Sequence, residues 1–322
     1  MDKSSTRSIN ACMRADLAGE ILAMHQCFSH ATPFPHIVLN NFLDDALCSA
    51  LIEQFPTFES GNYLNEAGKA SGKSVHESLG KIGPAFEKLD RWFQSSNFLD
   101  CASGVTGIPN LLFDPHYFGG GTHENKPGQQ LDIHIDFNRH PTTHWYRRLN
   151  LLIYLNEPWF SEWGGSLELH SNPYGDDEVI EILPVRNRCV IFETSEHSWH
   201  GFKKIDPKIG TKISRKSIAI YLYTIDPPSH DNGKIHSTLY VDRPIPSHFV
   251  ERHILSKSDV NTLKILFARR DQHIRRPYKE ISFEQTSNGI LKARIEKLHN
   301  FPVLKFMFWV KRWLIRFHLL KP

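Results

Sequence analysis

The spacing of apolar positions changes along the chain and divides it into three stretches. After a polar N-terminal segment over residues 1–30, PHIVLNNFLDDALCSALIEQFP (35–56) reads as a short apolar strand, a turn at Asn40 and Asn41, and an amphipathic helix. That helix is expected to begin near Asp44 and to be stopped by Pro56. Residues 57–80, rich in Gly, Ser, Asn and Lys, predict a loop, and 82–105 carry apolar residues at helical spacing. A helical layer therefore precedes the main sheet. From about residue 108 the pattern becomes that of short strands: NLLFDPHYF, QLDIHIDF, RRLNLLIYLN, GGSLELH, VIEILPV, NRCVIFET, WHGF and RKSIAIYLYT, with turn residues between them. Seven or eight such runs, with no helix-length segment among them, predict a sandwich or barrel rather than a parallel sheet interleaved with helices. The polar stretch DPPSHDNGKIHS (226–237) ends this region. Residues 31–226 are thus one expected domain, its β core over about 108–226, and 227–322 an extension. In that extension LSKSDVNTLKILFARRDQHIRR (255–276) predicts a helix with Ser256 at its N-cap and Asp259 three residues on.

Composition narrows the class. With 322 residues, 40% of them hydrophobic and 11% aromatic, the chain can bury one sizeable core and carry an appendage. A net charge of +3 is too small to imply nucleic acid, and no basic run is interleaved with stacking aromatics. Cys12, Cys27, Cys48, Cys101 and Cys189 are scattered singly, which suits reduced thiols in a cytoplasmic protein rather than a zinc site or a disulfide framework. The N-terminus lacks the apolar stretch of a secretory signal.

Chemistry enters at LDIHIDF. Side chains alternate faces along a strand, so His134 and Asp136 project to one side, about 7 Å apart, while Ile133 and Ile135 fill the other. An imidazole and a carboxylate placed so need one further histidine to make the facial triad that binds iron(II) and leaves coordination positions open. His197 and His200 are the candidates. The strand over 188–193 runs out into a turn before WHGF, which favours His200 as the residue pointing back into the sheet. Arg215, opening the last strand, offers a guanidinium that can hold a carboxylate bidentately. Tyr154, on a strand between the two halves of the metal set, can add a hydroxyl donor to the same carboxylate. His123, Asn138, Arg139 and Trp145, together with His140 and Tyr146, are expected on flanking loops where substrate contacts concentrate.

In this order, H-x-D, Y-L-N, W-G-G-x-L-x-L, a distal histidine and R-x-S-[IL]-A-[IL]-Y, the residues resemble the iron(II)- and 2-oxoglutarate-dependent oxygenases of the prolyl 4-hydroxylase type, with FGGGTH and DFNRHP similar to a bacterial branch. The pieces are His134 to Asp136, Tyr154 to Asn156, WGGSLEL (163–169), His200 to Phe202 and RKSIAIY (215–221). The resemblance covers about residues 31–226. It implies a mainly β fold, a double-stranded β-helix (jelly roll, cupin-like) with flanking helices. It further implies His134, Asp136 and His200 as iron ligands, with Arg215 and Tyr154 on the distal carboxylate of 2-oxoglutarate. The insert KKIDPKIGTKIS between His200 and Arg215 departs from the family pattern and leaves Lys212 and Lys216 as alternative cations. The implied reaction takes 2-oxoglutarate and O2 to succinate and CO2 while hydroxylating an unactivated C–H, with ascorbate as reductant. A peptidyl proline is the first substrate suggested; a small molecule or lipid-linked glycan is the second, and a non-catalytic cupin-like binding module the reading from another class.

The tail adds a possibility of its own. Residues 287–322 hold eight Lys or Arg against a single acid, Glu296. Over 301–320 the cations Lys305, Arg312 and Arg316 fall on one narrow stripe of a helical wheel, with Phe, Trp, Leu and Ile around most of the remainder. Central cations disfavour a spanning helix. The pattern predicts an interfacial helix at the inner face of a membrane, or one packed on the sheet or on a partner.

Overall fold

In a computed structural model the described residues are 12–13, 20–62, 72–174, 177–207, 212–229, 234–243, 245–246, 248–271 and 274–275. The chain divides into two compact units, Met1–Ile254 and Leu255–Pro322. Among the described residues the first begins its regular structure with helix α1 (Ile21–Ser29), strand β1 (His36–Asn40) and helix α2 (Asp45–Glu53). Asp44 caps α2, its carboxylate accepting from the Leu47 amide at 3.1 Å. Strand β2 (Ser74–His76) lies inside the stretch expected to be loop: a three-residue strand is too short to register as a period. The helical stretch expected over 82–105 is two helices, α3 (Pro84–Phe93) and α4 (Ser96–Thr106). Ser95 breaks them by capping the second, accepting from the Phe98 amide at 3.2 Å, and Gly107, with φ of 74°, ends it.

The strands come next: β3 (Leu112–Phe113), β4 (Gly121–Asn125), β5 (Leu131–Ile135), β6 (Tyr146–Tyr154), β7 (Leu167–His170), β8 (Val179–Ile182), β9 (Arg188–Glu193), β10 (Trp199–Phe202), β11 (Arg215–Thr224) and β12 (Leu239–Val241). One sheet runs β1-β9-β6-β11-β4-β2, with β3 also on β11; the other runs β12-β5-β10-β7-β8. All their pairings are antiparallel. This is the double-stranded β-helix, mainly β with helices on one side.

Alternation along the central strands explains the layering. Leu149, Leu151 and Ile153 on β6, with Ile218, Ile220 and Leu222 on β11, pack outward against Phe86, Leu89 and Phe93 of α3 and Leu47 and Leu51 of α2. Each such side chain contributes about 1.5–3 kcal/mol on leaving water. The opposite positions face the second sheet, where Tyr154, Leu167, Leu169, Val190 and Phe192 form a smaller cluster. The inner face of the long strands is therefore free to carry polar groups at its ends.

Strand β12 belongs to residues beyond 226, yet it pairs with β5 through Leu239, Tyr240 and Val241 opposite Ile135, His134 and Ile133. Arg243, just after it, reaches the buried Glu168 of β7 at 2.6 Å. In the second unit, residues 257–271 are helical. Ser256 and Asp259 cap this helix reciprocally, each backbone amide donating to the other's side chain at 2.9 and 3.2 Å. The amphipathic stretch 301–320 lies outside the described residues. No helix among the described residues is long and apolar enough to cross a membrane. All five cysteines are free.

Candidate metal centre

His134 sits on β5 and His200 on β10, and the two are Cα partners across the ladder. Cross-strand partners point to the same face, so the imidazoles meet with ring centroids 4.3 Å apart. Asp136, two residues after His134, returns to that face, with Oδ1 3.7 Å from His134 Nε2 and Oδ2 3.5 Å from His200 Nε2. One ligand atom from each of the three lies within 4.8 Å of the others. His197, the alternative, is exposed on the turn before β10.

Both imidazoles are set to use Nε2. Nδ1 of His134 donates to the Asp132 carbonyl and Nδ1 of His200 to the Ser198 carbonyl, each at 2.8 Å. This tautomer leaves the Nε2 lone pairs facing each other and Asp136. Burial, reinforced by the neighbouring His134, lowers the His200 pKa to about 3, so its lone pair is available at any ordinary pH. For Asp136 burial pulls upward, but the Arg147 guanidinium, with smaller help from the two histidines and Asn150, holds the carboxyl well below the usual range. Two imidazoles presenting Nε2 and one carboxylate, converging on one face, fit a divalent iron.

On the other sheet, at β6 and β11, a second polar group is assembled. Arg215 opens β11, is 5% exposed, and donates from Nε to the Gly165 carbonyl at 2.7 Å and from a terminal nitrogen to the Tyr154 hydroxyl at 3.1 Å. The Phe202 ring lies 4.3 Å from the guanidinium. No carboxylate pairs with it among the described residues, and burial lowers its pKa. A buried cation without an anion is costly unless a ligand supplies one. The second glycine of WGG packs beside it: a Cβ on Gly165, at φ of 72°, would crowd Trp159 at 2.8 Å and Ile205 at 3.1 Å, the two side chains that wall this pocket edge next to Arg215. Lys212 is exposed, and Lys216, on the opposite face of β11, lies over the Phe55 ring. Of the three cations only Arg215 faces inward.

The expected substrate contacts divide. His123 is on strand β4, not on a loop. Its Cα partner is Ser217, whose other partner is Tyr154, so His123, Ser217 and Tyr154 form a row beside Arg215 on the inner face. Its Nε2 donates to the Gly119 carbonyl at 3.1 Å. Burial, then the nearby Lys73, keep this imidazole well below its ordinary pKa. Asn138 spends its amide on the chain instead, donating to the Lys234 carbonyl at 2.7 Å and accepting from the His236 amide at 3.1 Å. Arg139 lies over the Tyr146 ring at 4.1 Å and donates to its hydroxyl. Trp145 is half-buried on the turn before β6, its amide on Thr143 Oγ1 at 3.4 Å. His140 is buried against Asp114, Nε2 to Oδ2 3.3 Å.

Three residues at the centre were not singled out from the sequence. Arg147 and Asn150 both reach Asp136, and the Tyr240 ring stacks on His134. Alternation back from Tyr154 finds Asn150, whereas Arg147 is turned inward by a register shift that no periodicity announces.

Residues 120–223 match the family model described as the 2OG-Fe(II) oxygenase superfamily. Among solved structures, a prolyl hydroxylase from Trichoplax adhaerens, determined with a hypoxia inducible factor oxygen degradation domain peptide fragment, is 16% identical over 69% of this chain and 94% of its own, with a TM-score of 0.46. A prolyl-4-hydroxylase from Pseudomonas putida is 14% identical over 64% of this chain and 99% of its own, TM-score 0.44. The non-heme alpha ketoglutarate dependent epimerase SnoN from nogalamycin biosynthesis is 13% identical over 69% and 96%, TM-score 0.45. No curated protein matches the chain.

Proposed function

We propose, on the premise that residues 120–223 belong to the 2OG-Fe(II) oxygenase superfamily, that this protein hydroxylates an unactivated C–H, with a peptidyl proline as the first substrate class to test. The observation that carries the reading is the pairing of two sites in one barrel: His134, Asp136 and His200 converge, and the buried Arg215, with Tyr154 on it, presents a cation that no described carboxylate answers. In this reading the three convergent side chains hold Fe(II), and Arg215 and Tyr154 hold the distal carboxylate of 2-oxoglutarate.

Bound there, iron and 2-oxoglutarate supply the oxidative decarboxylation that transfers one oxygen atom of O2 to a C–H bond and the other to succinate. The chain's own part is binding, orientation and exclusion of water. His134 and His200 donate Nδ1 to backbone carbonyls, which orients each ring with Nε2 toward Asp136. Arg215 fixes the depth and angle of the co-substrate through a planar fork. Ile133 and Ile135 on the far face of β5, packed with Trp199, hold the strand that carries the metal set. The free cysteines accord with a cytoplasmic location.

The test is succinate release from 2-oxoglutarate by protein loaded anaerobically with Fe(II) and then exposed to air, with ascorbate present, against His134→Ala and Asp136→Ala. Mass spectrometry of proline-containing peptides searches the same reactions for a gain of one oxygen. Succinate formed by wild type and by neither variant supports the enzyme. An oxygen gained on a small molecule and on no peptide replaces the proline substrate.

A further inference from the structure

Strand β6 carries an irregularity where it passes the metal set. Its ladder with β11 runs Tyr221 opposite Asn150 and Leu222 opposite Leu149, then slips so that Tyr223 lies opposite Arg147. Without the slip, the inward positions counted back from Tyr154 would be 152, 150 and 148. With it, Arg147 turns inward beside Asn150, and Arg148 goes to Glu193 and Thr224, at 3.4 and 3.5 Å.

What the two inward residues do is fixed by their contacts. The Arg147 guanidinium is 3% exposed and is held 3.5 Å above the Tyr221 ring and 4.5 Å from that of Phe137. From Nε and a terminal nitrogen it donates to Asn150 Oδ1, at 3.0 and 2.6 Å. That pair of hydrogen bonds to the oxygen settles the amide's orientation, since the reverse would set an NH2 against two donors. Asn150 Nδ2 is thereby aimed at Asp136 Oδ2, 2.7 Å away. The same Arg147 nitrogen approaches Oδ2 to 3.1 Å. Oδ2 also lies 3.5 Å from His200 Nε2, but its two donors occupy both of its in-plane lone pairs. Oδ1 faces His134 Nε2 at 3.7 Å and accepts no hydrogen bond among the described residues.

We infer that Asn150 and Arg147 are positioning residues that commit Asp136 to bind the metal through Oδ1 alone. This rests on the Fe(II) reading of the same site. A free carboxylate can rotate and close on a divalent ion with both oxygens, filling two coordination positions. One whose second oxygen is tied to an oriented amide and a stacked guanidinium fills one. With two imidazoles that leaves three positions, the number a chelating co-substrate and O2 require. Arg147 acts twice, once on Oδ2 and once by orienting the amide, so the pair is a clamp rather than two separate hydrogen bonds.

The experiment is titration of the full chain with Co(II) under argon, read by the visible ligand-field spectrum, which reports coordination number, and by the dissociation constant. Asn150→Leu keeps the shape and removes the donor. It is expected to weaken Co(II) binding about 10–100-fold and to change the band pattern, because Oδ2 is released. Arg147→Lys keeps the charge but loses the fork and the stacking, and is expected to shift both readouts in the same direction; it also serves if Asn150→Leu does not fold. Metal-free melting of each variant separates folding from binding. Wild-type spectrum in both variants, whether or not affinity falls, overturns the clamp and leaves these residues merely structural. If wild type and His134→Ala alike bind no Co(II), the metal reading itself fails and takes the clamp with it.

Discussion

The ring of Tyr240 stacks on the imidazole of His134, centroids 5.2 Å apart and planes 25° from parallel. One residue comes from the strand that anchors the metal set, the other from β12, beyond the long polar stretch after the last barrel strand. The pair makes β12 part of the site, and Arg243 beside it ties the same segment to Glu168.

Removing this ring is therefore expected to act on both stability and metal binding. Tyr240→Ala should lower stability by about 2–3 kcal/mol, less than the roughly 3–5 for a fully buried aromatic because the ring is only partly buried, and weaken metal binding by freeing His134. Ending the chain at residue 226 should do more, since it also exposes the β5 edge as a template for aggregation. Thermal melting and size-exclusion chromatography of the two proteins check this.

Arg215 and Gly165 should share one phenotype. Arg215→Met removes the buried cation, and a charge-assisted hydrogen bond of about 1.5–3 kcal/mol corresponds to roughly a 10–100-fold weaker hold on 2-oxoglutarate. Gly165→Ala, which crowds Trp159 and forces a positive φ, should weaken it in the same direction with Arg215 in place. Tyr154→Phe should cost only a few-fold. Equilibrium binding of 2-oxoglutarate to the Mn(II)-loaded protein measures all three.

Glu168 predicts an acid limb. Burial raises its pKa, but His170, Arg243 and Lys203 outweigh that and lower it from 4.5 to about 2. A carboxyl whose folded pKa is depressed contributes stability that is full above 4.5 and is lost as pH falls from there toward 2. Glu168→Gln should cost about 3 kcal/mol at pH 7, the depression of its folded pKa at about 1.36 kcal/mol per unit, and its difference from wild type should shrink below pH 4.5. Denaturant melts across pH 3–7 test it. A difference that stays constant with pH would sink the assignment.

How much of this was legible before the structure depends on what kind of signal each element leaves. The period-2 runs of β5, β6, β10 and β11 are long or punctuated enough to read, and with them the inward direction of His134, Asp136, His200, Tyr154 and Arg215. Ser256 and Asp259 announced their capping box at the correct residue. Asn138 and Arg139 carried the right chemistry for substrate, but their partners, Lys234, His236 and Tyr146, are set by tertiary packing that no local pattern records. The same holds for Tyr240: three residues of β12 leave no period, and their pairing is to a strand a hundred residues earlier. Arg147 is the sharpest case, because strict alternation selects Arg148, and only the slip between Leu222 and Tyr223 exchanges the two.

The most direct measurement of the central claim is the visible spectrum of the full chain mixed anaerobically with Fe(II) and 2-oxoglutarate. A co-substrate chelating an iron held by His134, Asp136 and His200 gives a metal-to-ligand charge-transfer band. Wild type should show it, His134→Ala and Asp136→Ala should lose it, and Arg215→Met should need more 2-oxoglutarate to reach it. Wild-type protein that retains no iron and shows no band at saturating 2-oxoglutarate would contradict the account.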